Sequence, residues 1–88
     1  MKKRAVIVLA EGFEEIEAVT PIDLLRRAGI DVCIAGIYPN NQCVTGSHGI
    51  SIRVDTDLKN LAGDFDACIF PAGFQGRIIL RLLNMPGP

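Results

Sequence analysis

Ala5-Val6-Ile7-Val8-Leu9-Ala10-Glu11-Gly12-Phe13-Glu14-Glu15-Ile16-Glu17 carries the reading of the fold, because an apolar strand runs through a glycine turn straight into an acidic helix start. Residues 5–9 are apolar without alternation, the pattern of a central strand in a parallel sheet covered on both faces. Gly12 permits the tight reversal that follows. Glu14, Glu15 and Glu17 then fall in the first helical turn, where unsatisfied N–H groups and the positive end of the helix dipole favour carboxylates. For Glu14 and Glu15 this placement at a helix start is one account and a role in the site the other. Glu17 differs, since a 3.6-residue wheel puts it near Leu24 and Ala28, at the edge of the apolar arc. A carboxyl group there, beyond the C-terminal end of a strand, stands where α/β sheets hold ligands and catalysts. It is expected to point into that crevice rather than into solvent.

The helix should run to about Ala28, with Ala18, Ile22 and Leu25 on its inner face, Val19 and Ala28 flanking them, and Gly29 ending it. Pro21 allows two forms: one bent helix, or a first turn that ends and a second that starts with Thr20 as its cap. The apolar face continues across the proline, which favours the single bent helix. Residues 30–35 supply a second strand, parallel to the first through a crossover. The segments Cys43-Val44-Thr45 and Ile50-Ser51-Ile52-Arg53-Val54 bracket Gly46-Ser47-His48-Gly49 as a small hairpin. Residues 55–61 suit a short helical turn capped by Asp55 or Thr56. Ala67-Cys68-Ile69-Phe70 is a third parallel strand ending in Pro71-Ala72-Gly73, whose N–H groups are expected to line the same crevice as Glu17. Residues 76–85, with Ile78, Ile79, Leu82 and Leu83 as a stripe, suit a helix.

A chain of 88 residues supports one small domain with modest burial. Its net charge of −1 offers no footprint for nucleic acid, and no apolar run approaches the roughly 20 residues that cross a bilayer. The apolar run after Lys2-Lys3-Arg4 is short and leads into Glu11 and Glu14, so a cytoplasmic location is expected. Cys33, Cys43 and Cys68 share no C-x-x-C spacing, and His48 is the only histidine available to join them. No metal site or cofactor is therefore expected. Cys33 and Cys68 lie in strand-like runs and are expected to be buried, with Cys43 more exposed. A nucleotide site is disfavoured as well. Ala10-Glu11-Gly12-Phe13-Glu14-Glu15 has one glycine where a dinucleotide fingerprint needs three, and the carboxylates would repel a pyrophosphate.

The run from Glu11 to Gly29, with E-G-F-E-E-I-E at its start and R-R-A-G at its end, then Gly46-Ser47-His48-Gly49-Ile50, then Phe70-Pro71-Ala72-Gly73, closely resembles the N-terminal half of DJ-1/PfpI (ThiJ) proteins, in particular the DJ-1 and YajL branch. The resemblance implies an α/β, flavodoxin-like three-layer sandwich of the class I glutamine-amidotransferase type with a parallel sheet, here truncated, so that residues 1–88 form half of a single domain. It also implies a homodimer or a complementary C-terminal segment as partner, and thiol-dependent glyoxalase or deglycase chemistry on a small carbonyl substrate, linked to oxidative stress. Under it Glu17 matches the carboxyl group that supports the reactive cysteine, and Gly73 the glycine whose N–H helps form an oxyanion hole. Arg27 and His48 fall where the family often has basic residues near the pocket and dimer interface, with His48 in place of the arginine of animal members. Pro71-Ala72-Gly73 departs from the commoner Pro-Gly-Gly. The family's nucleophile elbow lies beyond Pro88, and none of Cys33, Cys43 and Cys68 matches it. The resemblance thus implies a chain that needs a complementary segment for catalysis. The competing reading is a non-catalytic half-domain that recruits or dimerises through its open sheet edge and uncovered helix faces.

Overall fold

The computed structural model describes residues 2–40, 42–71 and 78–81. Strand β1 (Arg4–Leu9) lies between β2 (Asp31–Gly36) and β6 (Ala67–Pro71) and runs parallel to both. Its register sets Ala5 beside Val32 and Ala67, and Ile7 beside Ile34 and Ile69. Because strand side chains alternate between faces, Ala5, Ile7 and Leu9 pack with Val32, Ile34 and Ile69 on one side, against Ala18 and Ile22 of helix α1 (Glu15–Arg27), Phe13 and Val44. Val6 and Val8 face the other way, with Ala35 and Cys68, and Phe65 and Leu61 cover them. An unbroken apolar run is what such two-sided burial requires.

Helix α1 is continuous through Pro21, the single-helix alternative. Glu14 is its N-cap, its side chain accepting the N–H of Ile16 at 3.0 Å. Ala28 is its C-cap and Gly29 follows with φ +83°. At that end Arg26 donates to the Val32 carbonyl at 3.1 Å, tying the helix to β2. The inner face is narrower than expected: Ala18 and Ile22 are buried, whereas Val19, Leu24 and Ala28 are exposed.

Strands β3 (Cys43–Thr45) and β4 (Ser51–Arg53) form the expected antiparallel hairpin. Strand β5 (Thr56–Asp57) joins the edge of the main sheet beside β2. The helical turn expected over 55–61 is a 3₁₀ turn at Leu58–Asn60, and its cap is Asp57 rather than Asp55 or Thr56. Asp57 Oδ1 accepts the Asn60 N–H at 2.8 Å, while Asp55 is occupied with the Ile34 N–H at 2.8 Å.

The expectation of a helix over 76–85 is corrected within the described residues. Ile78–Arg81 is a strand, β7, antiparallel to β6 and paired with it from Pro71↔Ile78 to Cys68↔Arg81. Adjacent β-branched residues favour a pleated strand over a helix, and β6 presents an edge whose N–H and C=O groups need partners. Among the described residues the main sheet has five strands in the order β5-β2-β1-β6-β7. No helix among them is long and apolar enough to cross a membrane.

Candidate functional site

The N-terminal turn of α1 stands beyond the C-terminal end of β1, and the loop joining β3 to β4 closes over it. Two segments distant in sequence are stitched together here by backbone hydrogen bonds. The Gly12 N–H donates to the Thr45 carbonyl at 2.8 Å and the Ser47 N–H to the Phe13 carbonyl at 2.8 Å. The Glu11 carboxylate accepts the Thr45 N–H at 3.1 Å. Gly12, with φ +85°, makes a turn that an L side chain would strain.

Glu15 is the centre of this corner. It is buried, and its carboxylate accepts from three donors of the 46–50 loop. Oε2 takes the N–H of His48 at 2.7 Å and of Ile50 at 3.3 Å. Oε1 takes the Ser47 hydroxyl at 3.4 Å and lies 3.3 Å from His48 Nδ1. Burial alone would raise the carboxyl pKa, but the N–H groups of His48, of Glu15 itself and of Ile50, with the His48 ring, outweigh it and hold the group below its ordinary value. Gly46 makes the approach possible, because a Cβ there would meet the Glu15 carboxylate at 2.5 Å. Sequence reading left Glu15 between a helix-dipole role and a part in the site, with no partner named. Its real partners lie more than 30 positions away, and the sole local hint was the pair of glycines flanking Ser47-His48.

Glu17, in the same helical turn, is half-buried. Its Oε1 has no accessible surface and no hydrogen-bond partner among the described residues. An acceptor desolvated in this way costs free energy that a donor would recover. Gly73, expected to supply an oxyanion N–H nearby, lies outside the described residues. The two basic candidates are not brought together. His48 sits at the N-terminal end of α1, whereas Arg27 is at its last residue, about 18 Å along the axis. Arg27 Nε is exposed and paired with Asp23 Oδ1 at 2.9 Å.

Glu14, Glu15 and His48 each offer a ligand atom within 4.8 Å of the others. Both Glu15 oxygens are already committed to loop donors, and the helix N-terminus favours anions over cations. Glu15 and His48 therefore serve to hold the loop, and Glu14 to cap the helix.

The cysteines divide by burial. Cys68 is buried as expected and Cys43 exposed, but Cys33 is half-buried. It lines a cleft with Lys2, Arg4, Arg26 and Asp55 at the opposite end of the sheet from Glu17. Desolvation, then the nearby Asp55 charge, raises its thiol pKa.

The profile of the DJ-1/PfpI family matches residues 3–84. Protein dj-1beta of Drosophila melanogaster is 42% identical over 77 residues, which cover 86% of this chain and 41% of that protein. The Parkinson disease protein 7 homolog of Danio rerio is 40% identical over 76 residues, covering 84% of this chain and 40% of that one. The crystal structure of Drosophila melanogaster DJ-1beta superposes with a TM-score of 0.76 at 41% identity, over 86% of this chain and 41% of that chain. The sheet and helix thus match a flavodoxin-like architecture, and the chain spans about two fifths of the length of these relatives.

Proposed function

The chain belongs to the DJ-1/PfpI family, and on that premise we propose that residues 1–88 are the N-terminal half of one cysteine-dependent domain acting on small reactive carbonyl compounds. The observation that carries this reading is Glu17 Oε1, a carboxylate oxygen buried at the helix start without a donor among the described residues. A thiol held beside it would donate its S–H there. The carboxyl group then orients the sulfur and takes part in its ionisation. The thiolate adds to the carbonyl carbon, a C–S bond forms, and the π-electron pair moves to oxygen. Backbone N–H groups receive that oxyanion, with Gly73 as one donor. The thiol comes from a complementary segment, because Cys33 and Cys68 belong to the sheet and Cys43 to the hairpin.

A second copy or a complementary segment is the partner in this reading. Ile16, Val19 and Ile50, with 73, 46 and 54% of their surface exposed, are the large apolar side chains that support an interface at the site's corner. The mixed composition and three cysteines fit a reducing cytoplasmic setting.

Methylglyoxal consumption tests the reading. The 88-residue chain alone is expected at background, since removing a nucleophile typically costs several orders of magnitude of rate even where oxyanion donors remain. Mixed with the C-terminal portion of Drosophila melanogaster dj-1beta, it should consume the substrate, and Glu17→Gln should abolish that gain. Turnover by the chain alone, lost in Cys43→Ser, would overturn the assignment.

A further inference from the structure

His48 is the only histidine of the chain, and its ring is 74% exposed while the carboxylate beside it is 8% exposed. Nδ1 lies 3.3 Å from Glu15 Oε1 and 3.1 Å from Ser47 Oγ. Ser47 Oγ in turn is 3.4 Å from Glu15 Oε1. A neutral imidazole has one N–H and one lone pair, and the partners of each nitrogen decide which is which.

With the ring neutral, two arrangements of the protons give Nδ1 a hydrogen bond. In the first, the Ser47 hydroxyl donates to Nδ1, the ring proton sits on Nε2, and the Nδ1 lone pair faces a buried carboxylate oxygen. Acceptor then faces acceptor in a poorly solvated corner, and Glu15 Oε1 loses both of its donors. In the second, Ser47 donates to Glu15 Oε1, and the Nδ1–H is shared between Ser47 Oγ and Glu15 Oε1. Every donor in the cluster then has an acceptor. The two Glu15 oxygens receive four donors, the full capacity of a carboxylate. The backbone keeps the ring in place, because the His48 N–H is itself held at 2.7 Å by Glu15 Oε2.

We propose that Glu15 is a positioning residue for His48: it places the proton of the neutral imidazole on Nδ1 and leaves Nε2, on the far side of the ring, as a hydrogen-bond acceptor. A ligand meeting that edge would be chosen for a group that donates, such as a hydroxyl or an ammonium, and not for an anion. The inference rests on the proposed function only in regarding this corner as part of the site. The tautomer itself is independent of any thiol chemistry.

The test is long-range 1H–15N NMR of the 88-residue chain at alkaline pH, with the ring in its neutral form. The expected result is a protonated-type resonance for Nδ1 and a lone-pair-type resonance for Nε2 in the wild type and in Ser47→Ala. Glu15→Gln, which presents an amide NH2 to the loop donors, should shift the population towards Nε2–H. A wild-type ring with its proton mainly on Nε2 overturns the proposal. So does a Ser47→Ala ring that reverts to Nε2–H, since the serine would then set the tautomer. Should Glu15→Gln fail to fold, those two measurements still decide. A failed methylglyoxal assay, by contrast, bears on the nucleophile and leaves the tautomer result standing.

Discussion

Glu15 and Glu17 are two residues apart in one helical turn, and their surroundings give them opposite chemistry. Glu15 is fully provided with donors, and its lowered pKa makes it a source of stability with a definite pH window. The unfolded chain holds this proton near the ordinary value of about 4.3, the folded chain lower, so the contribution is complete above that value and is lost as pH falls through the folded one. The urea midpoint of the wild type should therefore drop more steeply than that of Glu15→Gln as pH is lowered from about 5 to about 3. The variant should be the less stable of the two at neutral pH. Parallel slopes would remove Glu15 from this role. Thiol reactivity is a second check, because exposure orders the three cysteines. Cys43 should label first with a thiol reagent, Cys33 more slowly because its half-buried thiol is kept protonated, and Cys68 only with global unfolding. Rapid labelling of Cys68 in the native chain would contradict its place in the core.

Strand β1 is the element on which both core clusters depend. All five of its residues from Ala5 to Leu9 are buried, Ala5, Ile7 and Leu9 on one face and Val6 and Val8 on the other. Ile7 has no accessible surface. Truncating it to Ala should cost about 2–5 kcal/mol, a large share of the roughly 5–10 kcal/mol such a chain possesses. Ile7→Ala is therefore expected to show a clearly lowered urea midpoint by circular dichroism. A native spectrum with an unchanged urea midpoint would mean that the sheet is not centred on β1. Helix α1 packs only a narrow stripe on this sheet, and so its outer face, from Ile16 to Leu24, is left apolar and exposed.

That outer face is the surface to which the proposed function assigns an interface. Ile16, at the edge of the Glu15 corner, is 73% exposed. If the chain self-associates through it, as the proposed function has it, sedimentation should show a concentration-dependent dimer that Ile16→Glu converts to monomer. Circular dichroism of the variant should be unchanged, since the side chain takes no part in the core. A variant that still dimerises would move the interface elsewhere.

Strand β1, the helix through Pro21, the glycine that ends it, β2, the hairpin and β6 were all legible in the chain, because each depends on hydrophobic periodicity and turn residues within a short window. The family motif was legible for the same reason. What the chain could not disclose depended on tertiary pairing. The 78–81 segment has an apolar stripe compatible with a helix, and the free edge of β6 made it a strand. Asp57 took the cap because Asp55 was drawn to β2 and Arg26. Glu15, one carboxylate among several at a helix start, acquired its role only when the fold laid Gly46 and His48 against it. Local rules set which segments become strands and helices, but the partners of a buried charge are set by whichever donors the packed chain brings within about 3 Å.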